Sequence, residues 1–386
     1  MSKTFAQYMK SLFTPFNLIT GLILLFGLSL IVLRYIQGLT VVMHPSNTYP
    51  WGLFIGFGLL CVVPLAAPGF VMASAVYLFG LREYRPLLRP AVLIGLLGYI
   101  SAVVFLLIDL GRPWRLPYPM LVSYGTASIL FFVSWSVASH VFLYLIEFFP
   151  AILGWLGETR FRRWISKLTV GAAMLVVMLS TLHQSGLGAL FLLMPGKVHP
   201  LWYSPYLPVF FFISSIFAGL SMVILVSTLS AKLLRDRADV SFLANLDNLT
   251  LGLGKAASVV LFTYFAMKVV GIAHGSHWNF LSTPYGLWFL FEMVLFVLLP
   301  CFLFASGFRN RNVALIRFSS VITIVGLILN RLNVSIITFN WTLHHREYPK
   351  WTEYVIAVTI ITIGVLVYRW IVNRMAVLRE YGGEEH

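Results

Sequence analysis

The chain has 386 residues, of which 59% are hydrophobic and only 10% charged, and its mean hydropathy is +0.89. That balance excludes a soluble globule, in which roughly a quarter of residues carry charge. The net charge of +14 does not point to nucleic acid, because the basic residues are distributed by topology.

A window of roughly 20 residues marks ten segments able to span a bilayer, near 16–36, 52–79, 90–110, 122–147, 165–193, 207–231, 250–273, 285–305, 313–339 and 353–373. The first follows a polar start, is too long for a signal core and lacks a small-residue cleavage site, so it reads as helix 1. Helix 2 is interrupted by Pro64, Pro68 and Gly69. Cys61 and Cys301 fall in helices 2 and 8 without a CxxC companion, so they read as small core residues, with no metal or cluster site.

Lys3, Lys10, Arg82, Arg85, Arg89, Arg160, Arg162, Arg163, Lys232, Arg235, Arg237, Arg309, Arg311, Arg374 and Arg379 lie at the termini or in alternate loops. The remaining loops hold only Arg112, Arg115, Lys197, Arg346 and Lys350. The positive-inside rule then places both termini in the cytoplasm and five loops outside, in a multi-pass protein of the cytoplasmic membrane. The outside loops carry Tyr49-Pro50-Trp51, Pro113-Trp114, His199-Pro200-Leu201-Trp202-Tyr203 and Tyr348-Pro349-Lys350-Trp351. Interfacial belts explain part of this, but so many prolines of fixed φ also make a rigid, weakly charged docking surface.

Charge inside hydrocarbon costs a few kcal/mol per residue, so Asp109, His140, Glu147, His183, Lys268, Glu292 and Arg331 imply a polar interior path. Asp109 ends helix 3, where it caps the helix, pairs with Arg112 or acts chemically; Lys268 has a snorkelling alternative. Glu292 has no such exit, so it must be paired or protonated. His183-Gln184-Ser185-Gly186 sets three hydrogen-bonding side chains beside a glycine and suits a ligand with carbonyl oxygens. At about 1.5 Å per residue, His183 falls near the outer face and His140 in the cytoplasmic half. Two histidines at unequal depth argue against a bis-histidine haem. The loop histidines, including His44, His199, His274, His277, His344 and His345, read as solvated.

The ordered set Pro50-Trp51-Gly52, Arg89-Pro90-Ala91, Asp109-Leu110-Gly111-Arg112-Pro113-Trp114, Leu116-Pro117-Tyr118, Glu147-Phe148, His183-Gln184-Ser185, Lys197-Val198-His199-Pro200-Leu201-Trp202, Arg331-Leu332 and Trp351 with Glu353 carries a resemblance. It resembles the polysulfide reductase NrfD family, in particular the ten-helix branch with the hydrogenase subunit HybB and the sulfite-reduction-associated subunit DsrP. The likeness covers almost the whole chain.

What the resemblance implies is an all-α integral membrane protein, a single polytopic domain over 1–386. It has two four-helix bundles, helices 2–5 (about 52–193) and helices 6–9 (about 207–339), with helices 1 (about 16–36) and 10 (about 353–373) peripheral. It implies a haem-free subunit, inactive alone, that exchanges electrons between a quinone and a periplasmic ferredoxin-like iron–sulfur subunit of a larger respiratory complex. By position Asp109 and His183, with Gln184 and Trp114, match the quinone pocket; His140, Glu147, Lys268, Glu292 and Arg331 form an expected proton path, although His140 and the segment 273–284 match no family motif. The family's frequent anaerobic setting favours menaquinone. The direction of electron flow and the parent complex stay open. The chemistry of the residues agrees, since quinone reduction needs hydrogen-bond partners, titratable groups and an external electron donor. A secondary transporter, with broken helix 2 at its substrate site, is the rival from another class; a b-type cytochrome anchor is a further alternative.

Overall fold

A computed structural model describes residues 14–44, 46–123 and 125–378. Lys3, Lys10, Arg379 and the side chains of Arg162 and Arg163, which enter the orientation argument, lie outside what is described. The described residues form ten helical spans: α1 (Pro15–Gln37), α2 (in pieces, below), α3 (Arg85–Asp109), α4 (Ile129–Leu156), α5 (Thr159–Ala189), α6 (Leu207–Leu233), α7 (Val240–His274), α8 (Pro284–Arg309), α9 (Val313–Ile337) and α10 (Trp351–Arg374). Among the described residues nine of these are long and apolar enough to cross a bilayer.

The exception is α2, made of Leu53–Gly56, Val62–Leu65, Pro68–Ala73 and a π turn at Ser74–Leu78. Pro64 and Pro68 remove N–H donors and crowd the preceding turn, so a regular ladder cannot run through. The backbone compensates with mixed spacing: Leu60 N–H reaches Ile55 O (3.0 Å), Val62 N–H reaches Phe57 O (3.1 Å) and Ala67 N–H reaches Pro64 O (3.2 Å). Satisfying these groups internally is what lets irregular backbone persist at membrane depth.

Helices α2 to α5 pair in a closed ring, α6 to α9 pair in a second ring, and α5 packs on α6 between them. α4 and α5 form a tight hairpin because Gly157 adopts φ 79°, a left-handed cap that ends α4. α1 lies outside both rings and packs on α10, which leans on α3. At Gly27 a Cβ would collide with Thr359, so glycine there sets the close approach of α1 to α10.

The loops after α1, α5, α7 and α9 interlock at one end. Val198 bridges Phe339, Asn340 N–H donates to Lys197 O (2.6 Å), Ser46 Oγ donates to Glu347 (2.8 Å) and Phe280 meets the Trp341 ring. This is the aromatic face. The opposite end carries Arg82, Arg235, Arg309 and Arg311 and an Arg317–Asp247 ion pair at 2.7 Å, and is the basic face.

Candidate functional site

The polar interior divides into three clusters. The first lies inside the first ring, where α3 contributes Tyr99, α4 contributes His140, and α5 contributes Ser180, His183 and Gln184, all buried. The Tyr99 ring stacks on His140 at 4.5 Å between centroids and 4° between planes. His140 Nδ1 meets Ser136 O at 2.7 Å, and a carbonyl only accepts, so a neutral His140 carries its proton on Nδ1. Its Nε2 then accepts from Ser180 Oγ at 2.8 Å. Tyr99 OH meets His183 Nδ1 at 3.3 Å, while His183 Nε2 and Gln184 Oε1 have no protein partner.

This corrects the expectation that His140 and His183 sit at different depths. Their ring centroids are 5.5 Å apart. The His140–Ser180 hydrogen bond across the α4–α5 pair fixes this register, whatever the distances of the two histidines from the estimated helix starts. Tyr99 lies ten residues, roughly 15 Å, below the α3 end at Asp109, and His140 lies eleven residues, roughly 16 Å, below the α4 start. The stack is therefore near the middle of a bilayer about 30 Å thick. Glu147, about two turns further toward the basic face, has both carboxylate oxygens buried without a partner, and Tyr77 and Tyr144 are its titratable neighbours. Tyr144 in turn lies 5.8 Å from Tyr99 and 6.1 Å from His140, ring to ring.

The second cluster is in the second ring. Glu292 of α8, 1% exposed, accepts from Asn330 Nδ2 (2.6 Å), Asn333 Nδ2 (2.6 Å) and Trp202 Nε1 (2.8 Å). Arg331 donates to Asn330 Oδ1 (3.0 Å) and Ser214 Oγ (2.5 Å) and lies over the Phe211 ring. Asn330 thereby bridges guanidinium and carboxylate, with its amide oriented by both. Lys268 is 4% exposed; instead of snorkelling, it sits over Phe210 and Tyr264 at 4.6 and 5.6 Å. His140 and Glu147 thus belong to one ring of helices and Lys268, Glu292 and Arg331 to the other. Between the two rings of helices Phe191 and Phe211 pack with centroids 5.7 Å apart.

The third cluster is at the aromatic face, around Asp109. Its charged neighbours are Glu353 of α10 and Arg34 of α1, not Arg112. Arg34 itself caps α3, donating to Ile108 O (2.6 Å) and to Leu110 O. Glu353 accepts from Leu53 N–H (2.6 Å) and Lys350 N–H (2.9 Å), which ties α10 to the start of α2. A groove of about 820 Å³ runs between α1 and α10, lined by Leu22, Phe26, Tyr354, Val355 and Val358 among others, and Asp109, Arg34 and Glu353 are not in its lining. Asp109 and His183 are brought into different clusters, separated by roughly 15 Å along α3.

The aromatic loops are less open than the sequence implies. Trp202 is fully buried on Glu292, and Trp51 packs against Phe191 and Phe339. Trp114 is 70% exposed. His199, expected to be solvated, is instead enclosed by Trp341 (4.7 Å), Tyr285 (4.9 Å), Trp202 and Phe280 (both 5.5 Å). That burial, with His277 adding repulsion, lowers its imidazole to about 4. Among the described residues no group of three or more His, Cys, Asp or Glu is arranged to hold a metal ion.

Sequence reasoning missed Tyr99, Asn330 and Asn333 because uncharged polar residues are tolerated in spans and give no hydropathy signal. Arg34 was not singled out, and Lys350 appeared only as a loop charge. The Asn330-Arg331 and Asn333 spacing was a readable clue, since three amide or guanidinium groups within one turn need partners.

Comparison with known proteins follows the same line. The family described as polysulphide reductase, NrfD, matches residues 41–340. A protein of Nitratidesulfovibrio vulgaris is 48% identical over 374 residues, covering 96% of each chain. The probable Ni/Fe-hydrogenase 2 b-type cytochrome subunit of Escherichia coli is 28% identical, covering 96% of this chain and 94% of its own. The menaquinone reductase integral membrane subunit of Nitratidesulfovibrio vulgaris is 24% identical, covering 83% and 82%.

Proposed function

Because the chain belongs to the NrfD family, we propose that it is the quinone-reactive membrane subunit of a respiratory oxidoreductase complex, with the quinone headgroup at the Asp109 cluster. The observation that carries this is two carboxylates, Asp109 and Glu353, beside Arg34, with an apolar groove between α1 and α10, the two helices that carry Arg34 and Glu353. A quinone needs an apolar way in for its isoprenoid chain, hydrogen-bond donors for its carbonyls and titratable groups for its protons. The groove provides the first, Arg34 is a donor close to the second, and Asp109 takes up or releases a proton at the headgroup oxygen. The menaquinone reductase subunit among the relatives favours menaquinone.

In this reading the basic face is cytoplasmic, as the positive-inside rule requires, and the Asp109 cluster is periplasmic. His183 and Gln184 move from direct quinone contact to proton delivery, since they lie in the stack below. Glu147, Tyr144, His140, Tyr99 and His183 follow one another from the cytoplasmic half to mid-membrane. Neutral His140, protonated on Nδ1 and accepting on Nε2, orients Ser180. Tyr99 donates to His183 Nδ1 when the ring proton is on Nε2 and accepts from it when the proton is on Nδ1, so a proton taken up at one His183 nitrogen and released from the other passes through the ring while the Tyr99 hydroxyl turns to follow. Bound water completes the remaining distance to Asp109.

Electrons arrive from a partner iron–sulfur subunit docked on the aromatic face, where Trp114, Trp278, Tyr348 and Trp351 are among the exposed rings. The name of the Escherichia coli relative raises haem, and the disposition of His140 and His183 speaks against a bis-histidine site at that pair. His140 has both nitrogens engaged and Tyr99 covers its ring, which leaves His183 Nε2 as the lone free nitrogen of the pair. An optical spectrum of the purified complex, with or without a Soret band assignable to this chain, checks that reading.

The test is quinone-coupled turnover of the assembled complex. Asp109→Asn keeps shape and removes the titratable proton, and turnover is expected to fall roughly 10²-fold or more, the range of a positioned acid–base group. Parent-like turnover in Asp109→Asn overturns the assignment of the site.

A further inference from the structure

We infer that the second helical ring carries its own proton-conducting file of bound water, running along α6 from the Asp247–Arg317 pair at the basic face to Arg331 and Glu292. It deepens, and rests on, the reading that protons cross this subunit. The starting observation is a set of hydroxyls that make no hydrogen bond within the protein: Ser221 and Thr228 of α6 and Thr250 of α7. Ser221 and Thr250 are 0% and 1% exposed. Serine and threonine in apolar helices ordinarily donate back to their own helix. Ser214, Ser227, Ser319 and Thr323 all do so, at 2.9, 2.5, 2.7 and 2.9 Å. The three exceptions are therefore not explained by local helix bonding, and buried polar groups of this kind are as a rule satisfied by water.

Their placement is linear. Ser214, Ser221 and Thr228 recur every seven residues, two helical turns, so they share one face of α6 at steps of about 10 Å. Facing helices repeat the register. Ser214 meets Arg331 of α9, and two turns toward the basic face on both antiparallel helices Ser221 comes opposite Thr323. On α7, Lys268 lies over Phe210 and Tyr264 packs on Phe217, which carries Thr250 to the level of Thr228. Beyond that level stands the Arg317–Asp247 pair, whose Asp247 is 66% exposed and whose Arg317 Nε is buried without a partner. At the other end Asn330 joins Arg331 to Glu292, so an arriving proton meets a compensated pair and not a bare guanidinium.

Along such a file each hydroxyl accepts from one water and donates its own proton to the next. One proton enters near Asp247, one is delivered to the Glu292 network, and the hydroxyls end as they began. No ionisable residue is needed between the ends, which is why a search for charges in hydrocarbon passes over it.

The test uses the complex purified with its partner subunits, sealed in vesicles with a trapped pH dye on the basic-face side. The variant Ser221→Ala with Thr250→Val removes two oxygens at nearly constant volume. Proton uptake from the basic side per turnover is expected to fall to the share that the first-ring route delivers, and adding Glu147→Gln to the double variant removes that remainder. Full uptake returns when position 250 is Thr250→Ser and position 221 is kept, because the hydroxyls are restored. Thr228→Val, at a half-buried position, gives the same direction if the double variant does not assemble. A double variant that keeps parent-like uptake while Glu147→Gln loses it overturns the second file and leaves the first-ring route standing. Loss that restored hydroxyls do not reverse is a packing defect and also overturns it. No uptake from the basic side in the parent overturns the proton-transfer reading itself.

Discussion

Glu292 shows how the membrane interior fixes a single residue's role. Its carboxylate is buried, yet it accepts three N–H donors, from Trp202, Asn330 and Asn333. Removing it leaves those donors orphaned at about 1–3 kcal/mol each. Glu292→Leu should therefore lower the thermal midpoint of the purified complex markedly, and Glu292→Gln, which keeps one acceptor oxygen, should lower it less. Equal midpoints for the two would mean that the network contributes little. Tyr99 makes a parallel case in the first ring. Tyr99→Phe keeps the stack on His140 and removes the bond to His183 Nδ1, so the complex should assemble normally while proton-coupled turnover slows. Parent-like turnover in Tyr99→Phe removes Tyr99 from the relay. Both residues bear on what a sequence can disclose. Glu292 was legible because a charge in hydrocarbon demands a reason, whereas Tyr99 reads as an ordinary aromatic until His140 and His183 are seen to close on it.

At the scale of elements, the number and approximate place of the helices were legible, and relative depth was not. Hydropathy gives where each span lies in the chain but not how far one helix slides against the next. The packing of α4 on α5, fixed by the His140–Ser180 bond, brought His140 to His183, against the estimate from helix starts. The interruption of α2 was visible as Pro64, Pro68 and Gly69, but not its consequence, a span held together by mixed backbone spacing and latched by Glu353 on Leu53 N–H. The loop elements yield a pH prediction. His199 is lowered to about 4 from an unfolded value near 6.5. The unfolded chain therefore binds a proton between those values that the folded cage excludes. The contribution of neutral His199 is full above about 6.5 and is lost as pH falls toward 4. Thermal midpoints of the parent should decline over that window more steeply than those of His199→Gln, and parallel declines would place the sensitivity elsewhere.

For the whole molecule, two rings of four helices place a histidine–tyrosine stack in one and a carboxylate–amide network in the other, with the peripheral pair α1 and α10 framing a groove open to lipid. This division sets the Asp109 cluster, where we propose the quinone headgroup, apart from the Glu292 network. The orientation has its own check. A cysteine placed at Trp114 should react with an impermeant thiol reagent added to intact cells stripped of the outer membrane, and one placed at Arg309 only after lysis; the reverse pattern would invert the topology. The central claim, a quinone headgroup at Asp109 with its chain between α1 and α10, is tested most directly by photolabelling the complex with an azidoquinone and mapping the modified residues. The account predicts label on Phe26, Tyr354 and their neighbours near Asp109, competed away by unmodified menaquinone. Label confined to the second ring or to the basic face would contradict it.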